Sequence, residues 1–148
     1  MKYAIENIYE IRHDMTELLD IHYEQVSTHK DIKKLDPKWD RFKLLTDEGV
    51  CRTATLRDDD HELVGYFITC IVPHIHFDCI MAVNDAVFVH PDHRGIAAYY
   101  LFKYAIADIK ENAGADILAV HMKIHLPFDK LLAKLGFIKT EENWELVL

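Results

Sequence analysis

VHPDHRGIAAYYLF, residues 89–102, joins two kinds of structure back to back. The apolar run from Asp85 to Val89 that leads into it reads as the end of a buried strand. Pro91 to Gly95 make a turn. Gly95 to Asn112 then carry Ala97, Leu101, Tyr104, Ala105 and Ile109 at helical spacing, with Gly114 just past the end. A strand-to-helix turn exposes backbone N–H groups at the positive end of a helix dipole, and Arg94 stands beside it. That combination suits an anion.

Working outward, Cys79 to Val89 is apolar at most positions and reads as a central strand. Upstream, Val50–Leu56 and Leu63–Val72 form a hairpin around the acidic turn Asp58-Asp59-Asp60, ended by Pro73. Met1 to Ile5 suits a first strand. An Asn7-x-x-Glu10 capping box opens a helix whose apolar face is Ile8, Ile11, Met15, Leu18, Leu19 and His22. Asp36-Pro37 opens a shorter helix bearing Trp39, Phe42 and Leu45, closed by Gly49. Downstream, the expected elements are a buried strand over Asp116–Ile124, a short helix over Pro127–Leu135, and a closing hairpin of Phe137–Thr140 with Trp144–Leu148. The order predicts one α/β domain over residues 1–148: a mixed, twisted sheet, splayed at the central strand, with helices on both faces.

Composition narrows the function. Half of the 148 residues are hydrophobic and 28% are charged, as in a globular domain, and no apolar run approaches the ~18 residues of a membrane span. The amino terminus, MKYAIENIYEIRHD, is too polar for a secretory signal. Three scattered cysteines, Cys51, Cys70 and Cys79, fit free thiols in the cytoplasm. A net charge of −8 argues against nucleic acid as partner.

The chain resembles the GNAT superfamily of N-acetyltransferases over nearly its whole length. The residues that carry the resemblance are Val89-His90-Pro91-Asp92-His93-Arg94-Gly95, then Gly114-Ala115-Asp116 before a strand, and Leu135-Gly136-Phe137 after a short helix. The strand opening Leu63-Val64-Gly65-Tyr66 adds to them, and the acidic turn before it is most similar to members encoded by bacteriophages. The resemblance implies acetyl-CoA as cofactor. Its pyrophosphate would sit on the amides of Arg94, Gly95, Ile96, Ala97, Ala98 and Tyr99, and its pantetheine arm would run along Val87, Phe88 and Val89. It also implies transfer to a small-molecule or protein amine, and it is compatible with a homodimer. A non-catalytic regulator binding a host protein is the alternative reading.

Two positions depart from the family pattern. Tyr99 stands where a small residue is usual. Leu132 occupies the place of a tyrosine that protonates the departing thiolate. Asp85 lies where the family carries a glutamate base, and a carboxylate in an apolar strand needs a task or a partner. Asn84 is its polar neighbour on the other face. His121, Lys123 and His125 alternate along the expected strand, which would put them on one face, with His121 as a second candidate base and His125 toward the acceptor. His74-x-His76-x-Asp78 precedes the central strand. Its spacing argues for substrate contact by His74 or His76 rather than for a metal site.

Overall fold

The branched and aromatic runs become five strands in a computed structural model, which describes residues 1–148: β1 (Lys2–Ile5), β2 (Cys51–Arg57), β3 (Leu63–Pro73), β4 (Ile80–Val89) and β5 (Ile117–Ala119). They form one sheet in sequence order. The first four are antiparallel neighbours, and β5 lies parallel to β4. Helices α1 (Arg12–Val26) and α2 (Trp39–Asp47) cover one face, and α3 (Ile96–Asn112) and α4 (Asp129–Lys134) cover the other. The crossover from β4 to its parallel neighbour is α3 itself, so the strand-to-helix turn stands at the end of the central strand. The mixed sheet with helices on both faces is the one expected from the sequence.

Alternation sorts the two cores along β3 from Tyr66 onward, and a bulge at Val64, the extra residue between the Leu56–Gly65 and Arg57–Leu63 pairs, turns that residue to the opposite face from Tyr66. Tyr66 and Ile68 face α1 with Ile8, Met15, Leu18 and Phe88, while Val64 and Phe67 face α3 with Leu56, Leu101, Phe102 and Ala105. Phe67 meets Phe102 edge-on, with ring centroids 4.8 Å apart. Burying each such side chain contributes about 1.5–3 kcal/mol. Gly65 has no room for a side chain beside β4. A Cβ there would lie 3.2 Å from the Phe88 carbonyl and 3.2 Å from Val89. Arg52 of β2 ties the sheet to α3 through a two-pronged pair with Asp108, both contacts 2.6 Å.

Four expectations need correction. Helix α1 starts at Arg12, because Asn7 spends its side chain on a preceding turn, accepting from the Tyr9 N–H at 3.0 Å with no reciprocal bond from Glu10. Helix α2 starts at Trp39, two residues beyond Pro37. The strand expected over Asp116–Ile124 stops at Ala119. His121, Lys123 and His125 therefore share no strand face. The closing hairpin does not form, and residues 137–148 join no ladder. A three-residue β5 offers too short an edge for another strand to pair with and bury its apolar side. Trp144 and Leu146 are accordingly 86% and 84% exposed.

Candidate active site

The site is organised by an irregularity in β4. Ile68 pairs with Ala86, but Thr69 pairs with Asn84, so Asp85 is an extra residue opposite β3. Such a bulge breaks the alternation of faces and re-aims a side chain. Asp85 and Ala86 consequently line the same cavity, of about 290 Å³, between α1, α2, the segment joining them and the sheet. The Asp85 carboxylate is accessible because this cavity is open, yet protein crowds it closely enough that desolvation raises its pKa above the ordinary carboxylate value.

His22 of α1 lines the same cavity, stacked on Phe88 with centroids 4.8 Å apart and planes within 6°. Its Nδ1 meets the Tyr66 hydroxyl at 2.5 Å. Tyr66 is fully buried and its hydroxyl has no other partner, so the Tyr66 O–H must donate and His22 Nδ1 accept. The remaining proton of a neutral His22 is then on Nε2. Burial lowers the His22 pKa to about 4, which keeps the ring neutral at physiological pH. Burial raises the Tyr66 pKa, with the Asp85 charge adding to it. Cys51 and Cys70 are also near Asp85, and desolvation pushes their thiols up, to about 11 for Cys51. Neither is a ready nucleophile.

On the other side of β4 the sheet opens. Pairing with β5 ends at Val83 and Ala119. Immediately beyond, the Asn84 side chain replaces the ladder: its Oδ1 accepts from the His121 N–H at 2.5 Å and its Nδ2 donates to the His121 carbonyl at 3.3 Å. The His90 N–H donates to the Val64 carbonyl at 2.8 Å. Antiparallel alternation therefore turns the backbone groups of Val87 and Val89 away from β3, toward the gap. Arg94 spans its mouth, donating from Nε to the Val89 carbonyl at 3.0 Å and from Nη2 to Gln25 Oε1 at 2.6 Å, with its guanidinium 5.4 Å from the Phe88 ring centre.

Gly95 turns the chain into α3 at φ +94° and ψ −120°, a conformation that only glycine adopts readily. The first intrahelical bond is donated by Tyr99, so the amides of Ile96, Ala97 and Ala98 have no acceptor. The first turn carries no acidic residue to compete for them. The Tyr99 ring packs beside Lys134 of α4 at 4.8 Å and Lys103 at 5.8 Å, on the flank of the helix. Leu132 packs with the hydrophobic cluster under α3.

The structure thus gathers Asp85, Val87, Phe88, Val89, Arg94 and the amides of residues 96–98 around one strand end. The remaining candidates stand apart from the cavity. His74 and His76 lie in the β3–β4 turn, where His74 Nδ1 accepts from the His76 N–H at 3.1 Å, and no group of three metal-ligating side chains forms. His125 reaches the Gln25 carbonyl at 3.2 Å. His121 is exposed and held through its backbone. Sequence reasoning missed His22, Gln25 and the bridging role of Asn84. For His22 the signal was a titratable ring on the apolar face of a helix, and for Asn84 a buried amide inside a strand. Gln25 offered none.

No family model and no curated protein matches the sequence. Solved structures do match in fold. A ribosomal-protein-alanine N-acetyltransferase from Brucella melitensis biovar Abortus 2308 superposes with a TM-score of 0.72 at 18% identity, over 100% of both chains. An aminoglycoside acetyltransferase from an uncultured soil metagenomic sample gives 0.76 at 16% identity, over 100% of this chain and 99% of that one. A transcriptional regulator from Bacillus halodurans C-125 gives 0.78 at 19%, over 99% and 100%. The chain therefore has the fold that the resemblance to the GNAT acetyltransferases implies. None of its helices is long and apolar enough to cross a membrane.

Proposed function

We propose that this protein is an N-acetyltransferase that moves an acetyl group from acetyl-CoA directly to an amine. The observation that carries the reading is the double use of one strand end. The bulge at Asp85 turns a carboxylate into a cavity on one side of β4, while an open backbone edge and a bare helix terminus lie beyond it.

The residues fit the donor. Ile96, Ala97 and Ala98 offer unpaired amides for a pyrophosphate, and Arg94 adds a cation there. The backbone of Val87 and Val89 would pair with the pantetheine amides, as a neighbouring strand would. Tyr99, packed against α4, leaves those amides clear. Acetyl-CoA supplies the activated acetyl group.

Asp85 takes the proton of the acceptor ammonium as general base, since its raised pKa brings it nearer to that task than an ordinary carboxylate. The amine nitrogen would bond to the acetyl carbon as the carbon–sulfur bond breaks, and the second proton that the nitrogen sheds would pass through water to the departing thiolate, while Asp85 returns the first to solvent. Leu132 can donate nothing. The Nε2–H of His22, fixed by Tyr66, is a neutral donor at the same cavity. With its thiols pushed up, the site favours direct transfer over an acyl-cysteine intermediate. A cytoplasmic location, where acetyl-CoA is available, fits this chemistry.

The deciding experiment titrates the protein with acetyl-CoA by calorimetry and screens amines for release of free thiol. The expected result is saturable binding and thiol release that depends on an amine. Binding with no release across a broad screen would overturn transfer and favour the regulatory reading.

A further inference from the structure

The cavity beside Asp85 has a chemical character of its own. Nine of its sixteen lining residues are hydrophobic, and its depth is walled by Ile8, Met15 and Ile68, which are almost completely buried. Trp39 and Phe42 stand on the α2 side, with ring centroids 6.0 Å apart and planes tilted by 42°. Two carboxylates reach this space. Asp36 is engaged with Lys38 at the surface, which leaves Asp85 as the unpaired one. The other charges are cations. Lys33 is held by Glu145 at 3.2 Å, and Lys34 has no partner.

We infer that the acceptor is a small monoamine with an aromatic or branched apolar body, its ammonium at Asp85 and its body against Trp39 and Phe42. The inference rests on the acetyl-transfer reading above. It follows from what each alternative would leave unpaired. A polyamine would carry a second ammonium into apolar walls or toward Lys34, with no free carboxylate to meet it. An aminoglycoside would bring several ammoniums to a cavity whose one unpaired carboxylate is Asp85, and would lay its hydroxyls against the apolar side chains of Ile8, Met15, Ile68, Trp39 and Phe42. A protein lysine would reach Asp85 through a thin stem that leaves the aromatic walls uncovered, with its peptide lying over Lys33 and Lys34. An apolar monoamine meets Asp85 with its one ammonium and leaves the exposed Lys34 to solvent, and displacing water from the apolar walls drives its binding.

The test uses the full chain with Trp144→Phe, which removes the exposed tryptophan and leaves Trp39, in the cavity wall, as the only fluorophore of its kind. Phenethylamine, spermidine, kanamycin and Nα-acetyl-lysine amide are titrated without acetyl-CoA while Trp39 fluorescence is read. Thiol release is then measured with acetyl-CoA present. Phenethylamine should saturate the Trp39 signal and exceed the other three in kcat/KM by at least about 100-fold, the scale on which a hydrophobic pocket discriminates. Phe42→Ala should weaken its binding about 10-fold, and the ligand panel on the unsubstituted cavity decides the matter even if that variant does not fold. Tighter binding or faster acetylation of spermidine, kanamycin or the lysine amide overturns the inference, as does failure of phenethylamine to bind. Saturable phenethylamine binding without thiol release keeps the amine site and overturns the acetyl-transfer reading instead.

Discussion

The two sides of β4 beyond its bulge are built in opposite ways. The edge facing the gap, with the turn and helix start behind it, comes from residues 87–98, one contiguous stretch whose working groups are mostly backbone. The cavity on the α1 side draws Met15 and His22 from α1, Trp39 and Phe42 from α2, Ile68 from β3 and Asp85 from β4, and its working groups are side chains. A backbone site is indifferent to most side chains around it and depends on conformation. A side-chain site depends on which residues the tertiary fold brings together, so it can be respecified without disturbing its neighbour.

Four substitutions test whether the two sides are separable. The largest effect is expected from Arg94→Glu. It reverses the charge at the mouth of the gap and breaks the contacts to Val89 and Gln25. Affinity for acetyl-CoA should fall by at least about 1,000-fold in calorimetry, with amine binding read by Trp39 retained. Parallel loss of amine binding would show that the two sides are one site.

Asp85→Asn is the converse. Turnover should fall about 100-fold, as for a lost general base, with acetyl-CoA affinity unchanged. In the unsubstituted protein, acetyl transfer should rise with pH through a limb shifted upward from that of an ordinary aspartate, because a carboxylate base works only when ionised and the Asp85 pKa is raised. The same shift sets the sign for stability. A carboxyl with a raised folded pKa contributes stability below its unfolded pKa and loses it as pH rises through the folded one. Asp85→Asn should therefore raise the melting temperature at neutral pH while it removes activity, a trade of stability for function. A lowered melting temperature would assign Asp85 a structural role.

Asn84 stands on the boundary between the sides. Asn84→Leu strips both backbone groups of His121 of their partner, which should cost about 1–3 kcal/mol in urea denaturation. Hydrogen exchange should quicken around residues 119–122. If stability holds, the splay is maintained elsewhere.

The smallest effect at neutral pH is expected from His22→Gln, which keeps an acceptor for Tyr66 but does not titrate. Burial depresses the His22 pKa to about 4, so its neutral form favours the fold fully above its unfolded pKa of about 6.5. That contribution is lost as pH falls toward about 4. The unsubstituted protein should lose more stability than the variant between about pH 7 and pH 4.5, the window set by these two pKa values. Equal losses would mean that His22 is not the buried titrating group.

Much of this fold was legible because its signals are local. The Asn112–Gly114 helix end, the β2–β3 hairpin and the strand-to-helix turn each lie within a few residues, and each forms within a residue or two of its expected bounds. The failures share a cause as well. The alternation of His121, Lys123 and His125 suggested a strand, but a strand needs a partner, and β4 leaves its parallel neighbour after Val83. The tail from Phe137 has strand-like residues and no edge long enough to receive it.

The order of elements from β1 to α4, the mixed sheet and the strand-to-helix turn were thus legible in the sequence alone, because local hydrogen bonding, period and glycine conformation suffice for them. Only the tertiary structure decided where the Asp85 carboxylate points. Strict alternation would have put Asp85 and Ala86 on opposite faces, and the bulge, visible only once β3 pairs with β4, puts both in one cavity. The tautomer of His22 was settled in the same way, by a tyrosine hydroxyl 44 residues away in sequence with no other acceptor for its proton. Register and burial are properties of pairs of segments, and no single segment carries them.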